Sequence, residues 1–239
     1  MTHVVRCFIV IGALTAAACS QSEPATSRSD VPSAPAPAAR ATSSDSARIQ
    51  SDVRRVPRIV FLGDSLTAGY GLDVEQSVPS LIQKHLDAES FKYEVVNAGV
   101  SGDTSAGGLR RLEWSLDGDV RILVLELGAN DGLRGLPVGD MKQNLKTIIR
   151  TAKDRGIEVL MTGMEAPPNY GSAYTSDFRR AFRDLAGEER VAFMVFYLEG
   201  VAGNPSLNIA DGMHPNSAGA RIVEANLWRI LEPMLDKQD

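Results

Sequence analysis

From Pro57 onward, short apolar runs alternate with longer stretches in which apolar residues recur every three or four positions. Five runs have strand length: Arg58–Gly63 (RIVFLG), Tyr93–Gly99 (YEVVNAG), Ile122–Gly128 (ILVLELG), Glu158–Gly163 (EVLMTG) and Ala192–Tyr197 (AFMVFY). They are apolar on both faces, which predicts a parallel sheet covered on both sides. Between them, Val78, Leu81, Ile82, His85 and Leu86 fall on one helical stripe. Val138, Met141, Leu145, Ile148 and Ile149 fall on another, which ends near Gly156 as its C-cap. A last helix is expected from Pro215 to about Leu235, with Ile222, Ile230, Leu231 and Met234 inward. Strand–helix alternation at this spacing means right-handed βαβ units. The expected fold class is α/β: one three-layer α/β/α domain over residues 56–239, flavodoxin-like, doubly wound on a sheet of about five parallel strands. No internal repeat interrupts it.

In a doubly wound sheet the chemistry sits in the loops beyond the carboxyl ends of the strands. Those loops are where this chain keeps its polar residues. The first strand ends in Gly63-Asp64-Ser65, the second runs into Asn97 and then Ser101-Gly102-Asp103, and the third ends in Gly128-Ala129-Asn130-Asp131. All three should converge on one edge of the sheet.

The N-terminal part breaks the pattern. Arg6 closes a short basic start, and Cys7 to Ala17 is a nearly unbroken apolar run. It is shorter than the roughly 20 residues a bilayer span needs and has the length of a signal-peptide core. Ala16, Ala17 and Ala18 then lead into Cys19, which resembles a bacterial lipobox with Cys19 as the lipidated residue. Cleavage after Ala18 without lipidation fits the small-residue rule as well. Either way residues 1–19 predict export to the periplasm, with membrane anchoring if Cys19 is acylated. Residues 20–55, rich in Ser, Ala and Pro (Pro24, Pro32, Pro35, Pro37), bury too little to fold and read as a disordered tether.

Charge and residue counts narrow the chemistry. The net charge is −5 and no segment is dense in Lys or Arg, which argues against a nucleic-acid partner. Both cysteines, Cys7 and Cys19, lie in the leader, so the folded part has no thiol nucleophile, disulfide or thiolate metal site. Of three histidines, His3 lies in the leader and His85 on a packing stripe. His214 remains as the histidine base. Asp211, three residues upstream, can turn its carboxylate to the ring and hold one tautomer. The nucleophile is then a Ser or Thr, and Ser65 projects directly from a strand end, outside any G-x-S-x-G elbow. A two-metal phosphoesterase would need more His ligands than His85 and His214. No dinucleotide or P-loop motif follows any strand. No cofactor or metal is called for.

Four segments, in order, resemble the conserved blocks of the GDSL, or SGNH, hydrolases. They are Gly63-Asp64-Ser65-Leu66, Asn97 to Thr104 (NAGVSGDT), Gly128-Ala129-Asn130-Asp131, and Asp211-Gly212-Met213-His214-Pro215. Within that family Gly128–Gly135 (GANDGLRG) and Pro168–Tyr170 (PNY) are similar to the periplasmic thioesterase I/lysophospholipase/arylesterase group. The resemblance implies a serine esterase with Ser65 as nucleophile, His214 as base and Asp211 as its orienter. It implies an oxyanion hole from the backbone N–H groups of Ser65 and Gly102 and the Asn130 amide. It also implies an acyl pocket flanked by Pro168, Asn169 and Tyr170, and a small ester or lysolipid as substrate. Asp64, Asn97 and Asp131 read as loop-shaping residues. A carbohydrate acetylesterase of the same superfamily, and a non-catalytic envelope binding protein on the same fold, are the alternatives.

Overall fold

The computed structural model describes residues 56–236; the expected signal, Cys19 and the tether at 20–55 lie outside the described residues. The chain runs β1 (Arg58–Gly63), α1 (Ser65–Ala68), α2 (Val78–Ala88), β2 (Glu94–Gly99), α3 (Ser105–Arg110), α4 (Leu112–Ser115), β3 (Val120–Glu126), α5 (Ala129–Leu133), α6 (Val138–Asp154), β4 (Glu158–Thr162), α7 (Gly171–Glu189), β5 (Ala192–Met194) and α8 (Ser217–Leu231). All strand pairs are parallel, in the order β2-β1-β3-β4-β5. The winding direction therefore reverses between β1 and β3, and right-handed crossovers put helices on both faces. Helix α2 packs on α8, while α6 packs on α3 and α7. The expected α/β/α architecture is the observed one.

The centre of the sheet explains itself from its side chains. Ile59 to Leu62 of β1 and Leu123 to Leu125 of β3 have no exposed surface. The edges differ from expectation. In β2 only Ala98 is buried, and Glu94 and Asn97 face solvent, because an edge strand has one flank uncovered. Strand β5 stops at Met194 rather than Tyr197. Gly163 N donates to Met194 O (2.8 Å) and Tyr197 N to Gly163 O (3.0 Å), so the chain folds over the end of β4 and sinks Tyr197 into the core. Strand β3 starts at Val120 and ends at Glu126, and Gly128 turns the chain away at φ 116°.

The helices follow their stripes and caps. Ser77 caps α2 by accepting from Ser80 N, with Pro79 in the first turn. His85 stays a packing residue: its ring stacks on Trp228 at 3.8 Å and its Nδ1 lies 2.7 Å from Glu224 Oε1. Helix α6 ends in a left-handed Gly156, with Gly156 N bonded to Lys153 O and Ile157 N to Ala152 O, which satisfies two terminal carbonyls. Helix α8 begins at Ser217 rather than Pro215, since the Asn216 side chain accepts from Ala218 N and Gly219 N. It ends at Leu231, short of Leu235, with a 3-10 turn over Glu232–Met234. Helix α7 is absent from the sequence expectation, yet buried Phe178, Ala181, Phe182, Leu185 and Ala186 keep helical spacing.

One close approach fixes the site to the sheet. A Cβ on Gly99 would stand 2.3 Å from Ala68 N and 2.8 Å from Thr67 C, both backbone atoms of α1. Backbone cannot swing aside as a side chain can. Gly99→Ala is expected to cost at least about 1–3 kcal/mol, seen as a lower midpoint in thermal melting. A melting curve identical to that of the natural protein would show that α1 does not bear on β2.

Candidate active site

Ser65 opens α1 directly beyond β1. Its Oγ lies 2.8 Å from His214 Nε2. On the other side of the imidazole, Nδ1 lies 2.6 Å from Asp211 Oδ2. Local geometry sets this second contact. Asp211 Oδ1 accepts from Met213 N (2.9 Å) and His214 N (3.0 Å), which curls the three-residue turn so that Oδ2 meets the ring. Ile209 N donates to His214 O (2.8 Å) and closes the base of that loop. The two backbone donors, with help from the imidazole, hold the Asp211 carboxyl at about 2, well below its ordinary 3.8. It is a carboxylate at neutral pH.

Across the site stand Gly102 and Asn130. Gly102 sits in the turn after β2 at φ 84°, a conformation glycine adopts without strain, and Arg134 anchors its carbonyl at 2.9 Å. Among the described residues, neither Gly102 N nor Ser65 N donates to another protein group, which leaves both for a ligand. Asn130, in the first turn of α5, donates one amide N–H to Asp64 Oδ2 at 2.9 Å. The loops themselves are braced by residues of the same blocks. Asp131 accepts from Ser105 N (2.8 Å) and Ser105 Oγ (2.6 Å). Asn97 bridges Thr67 O and Gly99 N. Arg111 was given no role by sequence reasoning; its guanidinium donates to Asp103, Ala98 O and Gly63 O, tying the ends of β1 and β2 together.

Ser65, Gly102, Asn130 and His214 all line one cavity of about 720 Å³. That size suits a small-molecule ligand. Its walls are mostly apolar: Leu66, Tyr70, Leu133, Met164, Phe196 and Leu198 among them. Of the expected substrate-side residues, Pro168 lines the cavity. Asn169 and Tyr170 stand outside its lining; Tyr170 instead donates its hydroxyl to Leu133 O (2.9 Å). Tyr70, whose ring lies 4.8 Å from that of His214, escaped sequence reasoning, as did Phe196 and Leu198. None of the three carries a local motif. One wall is charged: Glu165 lines the cavity with both oxygens held at 2.6 Å by Arg179.

Two buried carboxyl groups lie behind Ser65. Burial pushes Asp64 up to about 6, against the pull of Leu66 N, Asn130 and His214. Glu126, fully buried at the end of β3, is pushed well above the carboxylate range by burial and then by the Asp64 charge. Its Oε2 accepts from Thr67 Oγ1 (2.7 Å) and Asp64 N (3.2 Å). Among the described residues, Glu126 Oε1 and the Tyr197 hydroxyl are buried with no protein partner.

A hydroxyl, an imidazole and a carboxylate in line can move a proton off the hydroxyl, and free N–H groups nearby can receive a developing oxyanion. Known proteins agree with that chemistry. The profile of the GDSL-like lipase/acylhydrolase family matches residues 61–222. Esterase TesA of Pseudomonas aeruginosa is 43% identical over 178 residues, which are 74% of this chain and 89% of that protein. Thioesterase 1/protease 1/lysophospholipase L1 of Escherichia coli K12 is 35% identical over 179 residues, 74% of this chain and 85% of that one. The crystal structure of TesA superposes with a TM-score of 0.71 at 43% identity, over 75% of this chain and 99% of the other. The chain belongs to the GDSL-like lipase/acylhydrolase family and is an ester hydrolase.

Proposed function

We propose that the protein hydrolyses carboxylic esters and thioesters through an acyl-enzyme on Ser65. The observation that carries the reading is the unbroken line Asp211–His214–Ser65, with contacts of 2.6 and 2.8 Å, opening into an apolar cavity. Ser65 Oγ attacks the carbonyl carbon while its proton passes to His214 Nε2. The negative charge that develops on the carbonyl oxygen is received by Ser65 N, Gly102 N and the Asn130 amide. The tetrahedral species collapses, the C–O or C–S bond breaks, and the leaving alkoxide or thiolate takes the proton from His214. Water repeats the sequence on the acyl-enzyme and frees the acid. Asp211 keeps its negative charge and holds the imidazole in the Nδ1–H tautomer.

The cavity size and its Leu, Met, Phe and Pro lining favour single-chain lipid esters, such as lysophospholipids, and aryl esters over acetylated sugars. The relative named for thioesterase and lysophospholipase activities supports the same substrate class. The leader at residues 1–19 supports export to the periplasm, with Cys19 as the point of lipid anchoring and residues 20–55 as the tether.

An alkyl fluorophosphonate tests the mechanism. Intact-mass analysis should show one adduct, on the peptide that contains Ser65, and none in Ser65→Ala. A label on another residue, or equal labelling of the variant, would remove Ser65 from the mechanism. p-Nitrophenyl esters from acetyl to palmitoyl then test the substrate. Rates should rise beyond acetyl; a maximum at acetyl would instead support the acetylesterase reading.

A further inference from the structure

We propose that Asp64 is a positioning residue for the hydrolysis: its carboxylate fixes the Asn130 side-chain amide so that the second N–H stays aimed at the reacting oxygen. The proposal rests on the reading of Asn130 as an oxyanion donor. An asparagine amide turns freely about its terminal torsion, and turned over it would offer its own oxygen to the oxyanion. Asp64 Oδ2 accepts from Asn130 Nδ2 at 2.9 Å. A carboxylate only accepts, so it admits one orientation of the amide and rejects the flipped one.

Asp64 cannot swing away to relieve the contact. It is 1% exposed, and its Oδ1 is held by Leu66 N at 3.0 Å. One carboxylate therefore ties the loop that carries Ser65 to the loop that carries Asn130. Glu126 stands behind it, bonded to Asp64 N and Thr67 Oγ1. Burial pushes both carboxyl groups up, and the fully buried Glu126 the more strongly, so Asp64, held by Leu66 N and the Asn130 amide, is the more readily ionised of the two. The other ionisable groups around Asp64 are Asp103 from the loop after β2, His214 from the loop before α8, and the buried Tyr197 hydroxyl. Asp103 is itself paired with Arg111 at 2.7 Å.

Asp64→Asn keeps the shape and removes the second acceptor. The single oxygen of an asparagine at 64 serves Leu66 N or the Asn130 amide, never both, and its NH2 then faces another donor. The test is kcat and KM with p-nitrophenyl butyrate for the natural protein, Asp64→Asn, Asn130→Ala and the double variant. Asn130→Ala should lower kcat by about 10²–10³. Asp64→Asn should lower it by about 10- to 100-fold with KM within about threefold, and the double variant should be within about threefold of Asn130→Ala, since nothing is left to position. Full activity in Asp64→Asn beside a slow Asn130→Ala overturns the proposal, as do losses that multiply in the double variant. Full activity in Asn130→Ala removes the premise and the proposal with it, while the serine chemistry stands.

NMR decides the matter should Asp64→Asn fold poorly. In His214→Ala, which removes the imidazole as a cause of shifts, the two Asn130 amide protons should be inequivalent and slow to exchange. They should move with pH as Asp64 titrates, at or above about 6 because the pull of His214 is gone. Fast-exchanging amide protons that do not respond to pH overturn the proposal.

Discussion

Ser65→Ala is expected to lower kcat for a p-nitrophenyl ester by on the order of 10⁴ or more, with KM little changed. The size follows from what the side chain does. Among the described residues its Oγ has one polar contact, His214 Nε2, and the side chain is only half-buried, so its removal costs little stability. The cavity walls and the free N–H groups remain, so substrate still binds. What is lost is the atom proposed to bond to the carbonyl carbon. The measurement is a full Michaelis curve beside a thermal melt. A variant that melts like the natural protein and hydrolyses within tenfold of it would place the nucleophile elsewhere and return the binding-protein reading to the front.

Asp211→Asn should be nearly as damaging, about 10⁴ in kcat, for a different reason. An asparagine keeps an oxygen to accept from Met213 N and His214 N, so the turn survives. Its NH2 then faces His214 Nδ1, where Oδ2 stood at 2.6 Å. Two donors cannot meet there, so the imidazole puts its proton on Nε2 and presents N–H to Ser65 in place of a lone pair. The base is present but turned to the wrong tautomer. The carboxyl titrates at about 2, below its unfolded 3.8, so its stabilising effect is full above 3.8 and is lost as pH falls through 2. The measurement is kcat for Asp211→Asn beside the natural protein at pH 8; a loss under tenfold would show that Asp211 does not hold the imidazole in its working tautomer.

The parts of this site that a sequence can reveal are those written in short strings. Gly-Asp-Ser at a strand end and Asp-x-x-His before a helix each describe a local turn, and the backbone bonds of Asp211 show why the string suffices. The central strands were legible for a similar reason: a run buried on both faces has no alternation to misread. Partnerships between distant loops leave no such trace. Asp64 reads as a turn residue, and its bond to Leu66 N is that, but its bond to Asn130 joins residues 66 positions apart. Arg111 looks like any helix-end arginine until Gly63 O and Ala98 O are seen beneath it. Strand β2 was expected to be covered on both sides because nothing in YEVVNAG says that it is the sheet edge. Helix α7 did have a readable stripe, beginning at Phe178, but Ser and Thr recur through its start over GSAYTS without marking one boundary, and no side chain caps it.

Ser65 and His214 are separated by 149 positions, most of the length of the domain. A ribosome delivers the serine, the Gly102 turn and Asn130 long before it delivers the histidine. Until the loop before α8 docks beside β1, Ser65 is an ordinary alcohol. The order of synthesis therefore leaves the serine without its imidazole until the last part of the domain has folded onto the first.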